Sequence, residues 1–220
     1  MQKAQRMRIA LDMTMTLLSI ALMGGTMLFP DERVHQVLGM ALLAMWAAHT
    51  ALHRHWYASL LRGKYPPYRV MQIAVNAGIS LCAVLLAVSG MMMAWFMPVS
   101  FGLEFARMAH LASSHWYYLF MCVHLGMHLS QMFSRLWNRL GAAAMLALRI
   151  FLAVVCAYGA YASALRGVWK YLFLRQQFFF LDLGRGYVLF AVDYVAMLVL
   201  FATAAHYAGK ILLRRKRDSE

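Results

Sequence analysis

The sequence contains little charge for its length. Only 13% of its 220 residues are charged, 63% are hydrophobic, and the mean hydropathy is +0.60. Soluble domains contain about 45–50% apolar residues, so this composition excludes an ordinary soluble domain and predicts an integral membrane protein. The apolar runs are spread along the whole chain, and a cleaved signal peptide therefore does not explain them.

Acidic residues are especially scarce: 8 Asp and Glu stand against 21 Lys and Arg, giving a formal net charge of +13. The basic residues lie at the ends of apolar runs, where they act as topology signals and contact lipid headgroups. The positive charge therefore indicates membrane lipid as the partner and does not indicate nucleic acid.

Cysteine is also rare, with Cys82, Cys122 and Cys156 each alone in an apolar segment. A disulfide framework is not expected, and the lack of a Cys-x-x-Cys-His motif excludes covalent attachment of a c-type haem. The sequence shows no flavin motif, nucleotide-binding loop or soluble catalytic domain, so we expect no catalytic residues of a complete enzyme.

Apolar windows of about 20 residues predict six membrane-spanning helices in a single all-α domain that covers residues 1–220. The predicted spans are approximately 7–29, 34–57, 70–97, 105–133, 142–165 and 187–213. Pro66-Pro67 and Pro98 are expected to break the chain between helices.

The basic loops predict an orientation for these spans. With six spans, the N-terminus, the 54–69 loop, the 135–139 loop and the C-terminus all lie on one side, which the positive-inside rule makes cytoplasmic. The aromatic connection from Trp169 to Leu183 and its neighbours carry basic residues on the outer side, against that rule. These outer basic residues are Arg166, Lys170, Arg175 and Arg185.

Two of the predicted spans each carry a pair of histidines 14 residues apart, His35 with His49 and His110 with His124. Fourteen residues of α-helix return to within about 40° of the starting direction and rise about 21 Å. Because these are the second and fourth spans, they run in the same direction. The sequence therefore predicts two histidine pairs at two depths, His35/His110 outside and His49/His124 towards the cytoplasm.

Neutral imidazole is a common axial ligand of haem iron, and histidine within a bilayer is costly unless it has a partner. We therefore expect two bis-histidine haems in a four-helix core. His53 and His128 lie four residues beyond the inner ligands and are alternative ligands, or neighbours of a haem propionate or a quinone. The spacing favours His49 and His124.

Other residues near the ligands have predicted supporting roles. Arg33 and Arg107 are expected to neutralise the propionates of the outer haem. Gly39 and Gly126 are expected to let a flat macrocycle approach the helices.

A further group of polar residues within the spans stays open to two interpretations. We expect His115 to be a packed residue, and we expect His206 to make a structural hydrogen bond or line a quinone site. Asp12 and Asp193 are either proton-transfer groups or buried hydrogen-bond acceptors.

The order and spacing of three stretches make the sequence similar to a known family. They are residues 34–39 through His49, residues 108–110 through His128, and residues 190–197 through Tyr207. The chain resembles small bacterial membrane cytochromes b associated with flavinylation and extracytoplasmic electron transfer, and more distantly respiratory cytochrome b.

This resemblance implies two noncovalently bound haems b in a multi-pass protein of the bacterial inner membrane. It also implies electron transfer between the quinone pool and a flavin- or haem-bearing redox protein outside the cytoplasmic membrane.

Two other classes of function predict different behaviour. A divalent-metal transporter would use intramembrane histidines together with carboxylates or thiolates, and it would bind zinc without a haem spectrum. A structural membrane anchor would need no matched histidines. The paired spacing favours an electron-transfer subunit of an oxidoreductase over both.

Overall fold

The computed structural model describes residues 2–29, 31–60, 62–97, 99, 101–137, 139–179 and 186–218. Within these residues the chain is helical and contains no β-strand. In chain order the helices are α1 (Gln2–Leu22), α2 (Glu32–Leu52), α3 (Arg54–Ala58), α4 (Pro67–Met92), α5 (Leu103–Trp137), α6 (Ala142–Leu165), α7 (Val168–Leu172) and α8 (Gly186–Asp218). A 3-10 turn, Gly25–Leu28, precedes α2. The predicted all-α class is confirmed.

The long helices follow the predicted order, with shifted ends. Helix α4 begins at Pro67, earlier than predicted, because proline is well tolerated in the first turn of a helix, where its missing N–H has no helical partner. Helix α2 ends at Leu52, and His53 separates it from α3. Residues 180–183 of the predicted outer connection, and Arg185 just after it, lie outside the described residues.

Three helices are long and apolar enough to cross a membrane: α4, α6 and residues Gly186–Arg214 of α8, with mean hydropathies of 2.0, 2.0 and 2.2. Many large apolar side chains on these helices are exposed, including Val88, Phe151 and Val188. Such surfaces fit a lipid environment, since apolar patches of this extent are rare on soluble monomers. The chain is therefore a helical membrane protein.

The closest packing joins α4, α5, α6 and α8. Helix α5 lies between α4 and α8, α8 packs in turn on α6, and α1 and α2 form a hairpin beside this core. Glycines allow the closest approaches: the Cβ position of Gly126 on α5 is filled by the carbonyl oxygen of Ala202, with the Cβ of Ala205 2.8 Å away. Small residues at such crossings are a general feature of membrane helix packing.

We predict that Gly126→Val separates α5 from α8. The added atoms would meet the α8 backbone, which cannot move aside like a flexible side chain, and overpacking of this kind costs about 1–3 kcal/mol or more. Thermal unfolding in detergent should show a lower midpoint. Gly141→Ser is the control, because no atom lies within 4 Å of its Cβ position and serine is a favoured residue at a helix N-cap. An unchanged midpoint for Gly126→Val would show that this crossing is not close-packed.

Candidate cofactor site between α2 and α5

A cavity of about 830 Å³ lies between α2, α4 and α5 and is also lined by residues from the end of α1 and by residues 177–179. Small-molecule and cofactor sites usually measure about 300–1,000 Å³ and are mostly apolar with a few polar groups. The wall here has that character: Trp46, Leu86 and Phe179 accompany His35 and His110.

The predicted outer pair faces this cavity. The ring centroids of His35 and His110 are 6.3 Å apart, with an interplanar angle of 63°. A metal–imidazole nitrogen bond is about 2 Å long, so rings on opposite sides of one metal have centroids about 6 Å apart. The separation of the two rings therefore fits ligation of a single metal.

Hydrogen bonds assign the proton of His110. The Ser89 hydroxyl donates its only proton to the carbonyl of Leu85 at 2.6 Å, so its oxygen accepts from Nδ1 of His110 at 3.1 Å. Nε2 of His110 then keeps its lone pair, as a metal ligand requires. Gly90 permits this arrangement, because Cε1 of His110 lies 3.4 Å from its Cβ position. The side chain of His35 differs: its Nδ1 is buried and makes no hydrogen bond of good geometry to a described residue, and the backbone of Gly25 is its polar neighbour.

Both histidines of the inner pair carry the ring proton on Nδ1, as His110 does. Nδ1 of His49 lies 2.8 Å from Oδ1 of Asp12, and Nδ1 of His124 lies 2.9 Å from Oδ1 of Asn76. Carboxylate and amide oxygens accept hydrogen bonds, so both Nδ1 atoms donate and both Nε2 atoms are free to bind a metal. Ligating histidines usually have such a second partner on the other ring nitrogen.

The alternative inner histidines lie beside this pair. The ring of His53 is 4.6 Å from that of His49, and the ring of His128 is 4.8 Å from that of His124. His124 is close enough to His49, His53 and His128 to interact electrostatically with each. The structure thus places His49 and His53 at the C-terminal end of α2 and His124 and His128 in the C-terminal half of α5, with His53 exposed.

Helix α2 faces open space on the side of the candidate ligands. It packs mainly on α1, makes few close backbone contacts with α5, and contains no fully buried residue. No atom lies within 4 Å of the Cβ position of Gly39, which lines the cavity. The absence of a side chain at Gly39 leaves room beside His35.

Gly126 does not have the predicted role. Its missing side chain accommodates α8 and opens no space for a macrocycle, because Ala202 and Ala205 fill the Cβ position. Two residues of helix turn the chain by about 200°, so Gly126 points away from the face that carries His124.

The two predicted cationic residues both lie near the mouth of the cavity. Arg107 lines the cavity, with its guanidinium 5.8 Å from the ring centroid of Phe178. Arg33 lies 5.2 Å from the ring centroid of Trp95, another lining residue. Both side chains are exposed and can rearrange towards an anionic group.

His115 lines the same cavity. Its ring stacks on Tyr171 with a centroid distance of 4.3 Å, and its Nδ1 lies 2.8 Å from the carbonyl oxygen of Leu111. Its Nε2 is buried without a hydrogen-bond partner among the described residues. The sequence suggested packing alone, because nothing in the helical spacing indicates that α7 folds back onto this face of α5.

Asp193 is a buried hydrogen-bond acceptor in an ion pair. Its side chain is fully buried and accepts hydrogen bonds from the Tyr158 hydroxyl at 2.6 Å and from Nε of Arg166 at 2.9 Å. A terminal nitrogen of Arg166 lies 2.8 Å from the same carboxylate as its ion-pair partner. This pairing also accounts for Arg166, one of the basic residues on the predicted outer side. His206 lies edge-on to Trp137, with ring centroids 5.6 Å apart.

Among the described residues, no three or more His, Cys, Asp or Glu side chains gather as a metal-ion site would require. A bis-histidine haem needs only two protein ligands, because the porphyrin supplies the others. The chain matches no family model, no curated protein and no solved structure.

Proposed function

We propose that the chain is a di-haem b-type cytochrome that transfers electrons between membrane quinone and a redox partner outside the cytoplasm. His35 and His110 would bind the outer haem, and His49 and His124 the inner haem. The chain would act as the electron-transfer subunit of an oxidoreductase, since the sequence shows no catalytic domain of its own.

The observation that carries the proposal is the outer pair. Two histidines from different helices face one cofactor-sized cavity at a ring separation of 6.3 Å. A histidine pair that only packed would not need an adjoining cavity of about 830 Å³.

The inner pair supports a second haem at another depth. His49 and His124 each hold the proton on Nδ1, so their Nε2 atoms are available. The 14-residue spacing separates the inner ligands from the outer ones by about 21 Å along each helix. Two haems at this spacing suit electron transfer across a membrane.

The protein residues supply position and electrostatics, and haem iron, when bound, exchanges one electron. Ser89, Asn76 and Asp12 fix the ring orientations by holding the Nδ1 protons. The wall of the outer site is mostly apolar, and Arg107 places a cation in its lining that would meet a propionate.

The membrane arrangement is part of the proposal. Six long helices, α1, α2, α4, α5, α6 and α8, would cross the bacterial inner membrane with the basic termini in the cytoplasm. The positive-inside pattern of the loops and the exposed apolar surfaces support it.

The proposal predicts about two noncovalent haems per chain in the purified, haem-loaded protein. A reduced-minus-oxidised optical spectrum, combined with haem quantification, measures this directly. One haem per chain would restrict the proposal to the outer pair. Absence of haem after loading, with zinc bound instead, would overturn it in favour of a metal transporter.

A further inference from the structure

We infer that Asp12 is a positioning residue that lowers the reduction potential of the inner haem through its hydrogen bond to His49. This inference rests on the proposed function, because it requires His49 to be an axial ligand. It assigns a role to an acid on α1, a helix that carries none of the proposed ligands.

The contact joins two helices and is specific in its atoms. Oδ1 of Asp12 lies 2.8 Å from Nδ1 of His49, and the two residues are 37 positions apart in the chain. Within the described residues, His49 is the ion-pair partner of Asp12. The side chain of Asp12 is 44% exposed and that of His49 is 27% exposed. The carboxylate therefore stays available to polarise the imidazole.

Two of the other ligands have neutral second partners. His124 donates to the amide oxygen of Asn76, and His110 donates to the hydroxyl oxygen of Ser89. Among the hydrogen bonds described for the four proposed ligands, the bond from His49 is the one that reaches an anion. The inner site is thus asymmetric, with a carboxylate behind one ligand and an amide behind the other.

A carboxylate behind an imidazole raises the basicity of that ligand. A more basic ligand stabilises oxidised iron relative to reduced iron, because the oxidised form has the greater positive charge. Axial-ligand basicity and hydrogen bonding are among the means by which proteins adjust haem potentials. The potential of the inner haem should therefore fall when an anion lies behind its ligand.

The experiment exchanges charge between the two sides of this site in the full-length, haem-loaded protein. Asp12→Asn keeps an oxygen acceptor but removes the charge, and Asn76→Asp places a carboxylate behind His124. An optical redox titration gives the potentials, and the component that disappears when His124 and His128 are both replaced by alanine identifies the inner haem. Haem per chain is measured in every variant.

We expect Asp12→Asn to shift the equilibrium between oxidised and reduced inner haem about tenfold towards the reduced form. For a one-electron couple this raises the reduction potential by about 59 mV. Asn76→Asp should lower the same potential, and Asp12→Glu should stay close to the wild type. The outer potential should not change in any of the three variants.

The outcomes separate this inference from the proposed function. If the wild-type protein binds no haem, the proposed function fails. If it binds two haems and Asp12→Asn leaves both potentials unchanged, the inference fails and the proposed function stands. Loss of the inner haem in Asp12→Asn would also overturn the inference, because Asp12 would then be a structural support for His49.

Discussion

Replacing His110 with alanine should reduce the bound haem from about two per chain to about one. His110 supplies one of the two imidazole rings that line the outer cavity, and no second histidine lies one helical turn away as His128 does for His124. The remaining His35 could not hold a six-coordinate haem alone. Haem quantification and the reduced-minus-oxidised spectrum measure the loss.

Three variants make this experiment specific. His124→Ala combined with His128→Ala should remove the inner haem, since His128 lies one turn from His124, and adding His110→Ala should leave almost no haem. His115→Phe should retain both haems, since phenylalanine preserves the stack on Tyr171 and His115 is not a proposed ligand although it lines the same cavity. Loss of haem in His115→Phe, with retention in His110→Ala, would show that the outer ligand was assigned to the wrong histidine of α5.

Replacing Asp193 with alanine should destabilise the protein by about 3–5 kcal/mol, the usual cost of leaving one partner of a buried ion pair alone. Arg166 is 9% exposed and would lose its anionic partner, and the Tyr158 hydroxyl would lose a hydrogen-bond acceptor. Unfolding in detergent should show a large fall in stability, and the packing between α6 and α8 should loosen.

The double variant Arg166→Met with Asp193→Leu tests whether charge is the cause. Removing both charges leaves no buried ion, so most of the lost stability should return. Arg149→Met is the matched control, since Arg149 is an exposed cation on α6, the helix that Arg166 directly follows. This substitution should change stability by less than about 0.5 kcal/mol. If the double variant is as unstable as Asp193→Ala, the pair matters for its shape and hydrogen bonds, not for its charge balance.

The helices could be predicted well where apolar runs end at clear signals. Helix α6 occupies residues 142–165 as predicted, because Gly141 precedes the run and Arg166-Gly167 follows it. Helix α4 begins at Pro67, before the predicted start at about residue 70, because a proline that ends one helix is equally suited to begin the next.

The candidate ligands could be found because helical spacing is local information. Their hydrogen-bond partners could not, because Ser89, Asn76 and Asp12 lie on other helices, and their register against the histidines is set by tertiary packing. The predicted role of Gly126 is wrong because a residue two positions after His124 lies on the opposite face of the helix, against α8. Gly39, one full turn from His35, lies on the ligand face, as its four-residue spacing predicts.

The hairpin of α1 and α2, with its inner face turned towards open space, has a consequence for biosynthesis. Each proposed ligand on α2 precedes its partner on α5 by 75 positions. At synthesis rates of about 5–20 residues per second, His35 and His49 are made about 4–15 s before their partners. The hairpin would therefore wait in the membrane with half of each binding site, and haem capture would mark the moment when the later helices close against it.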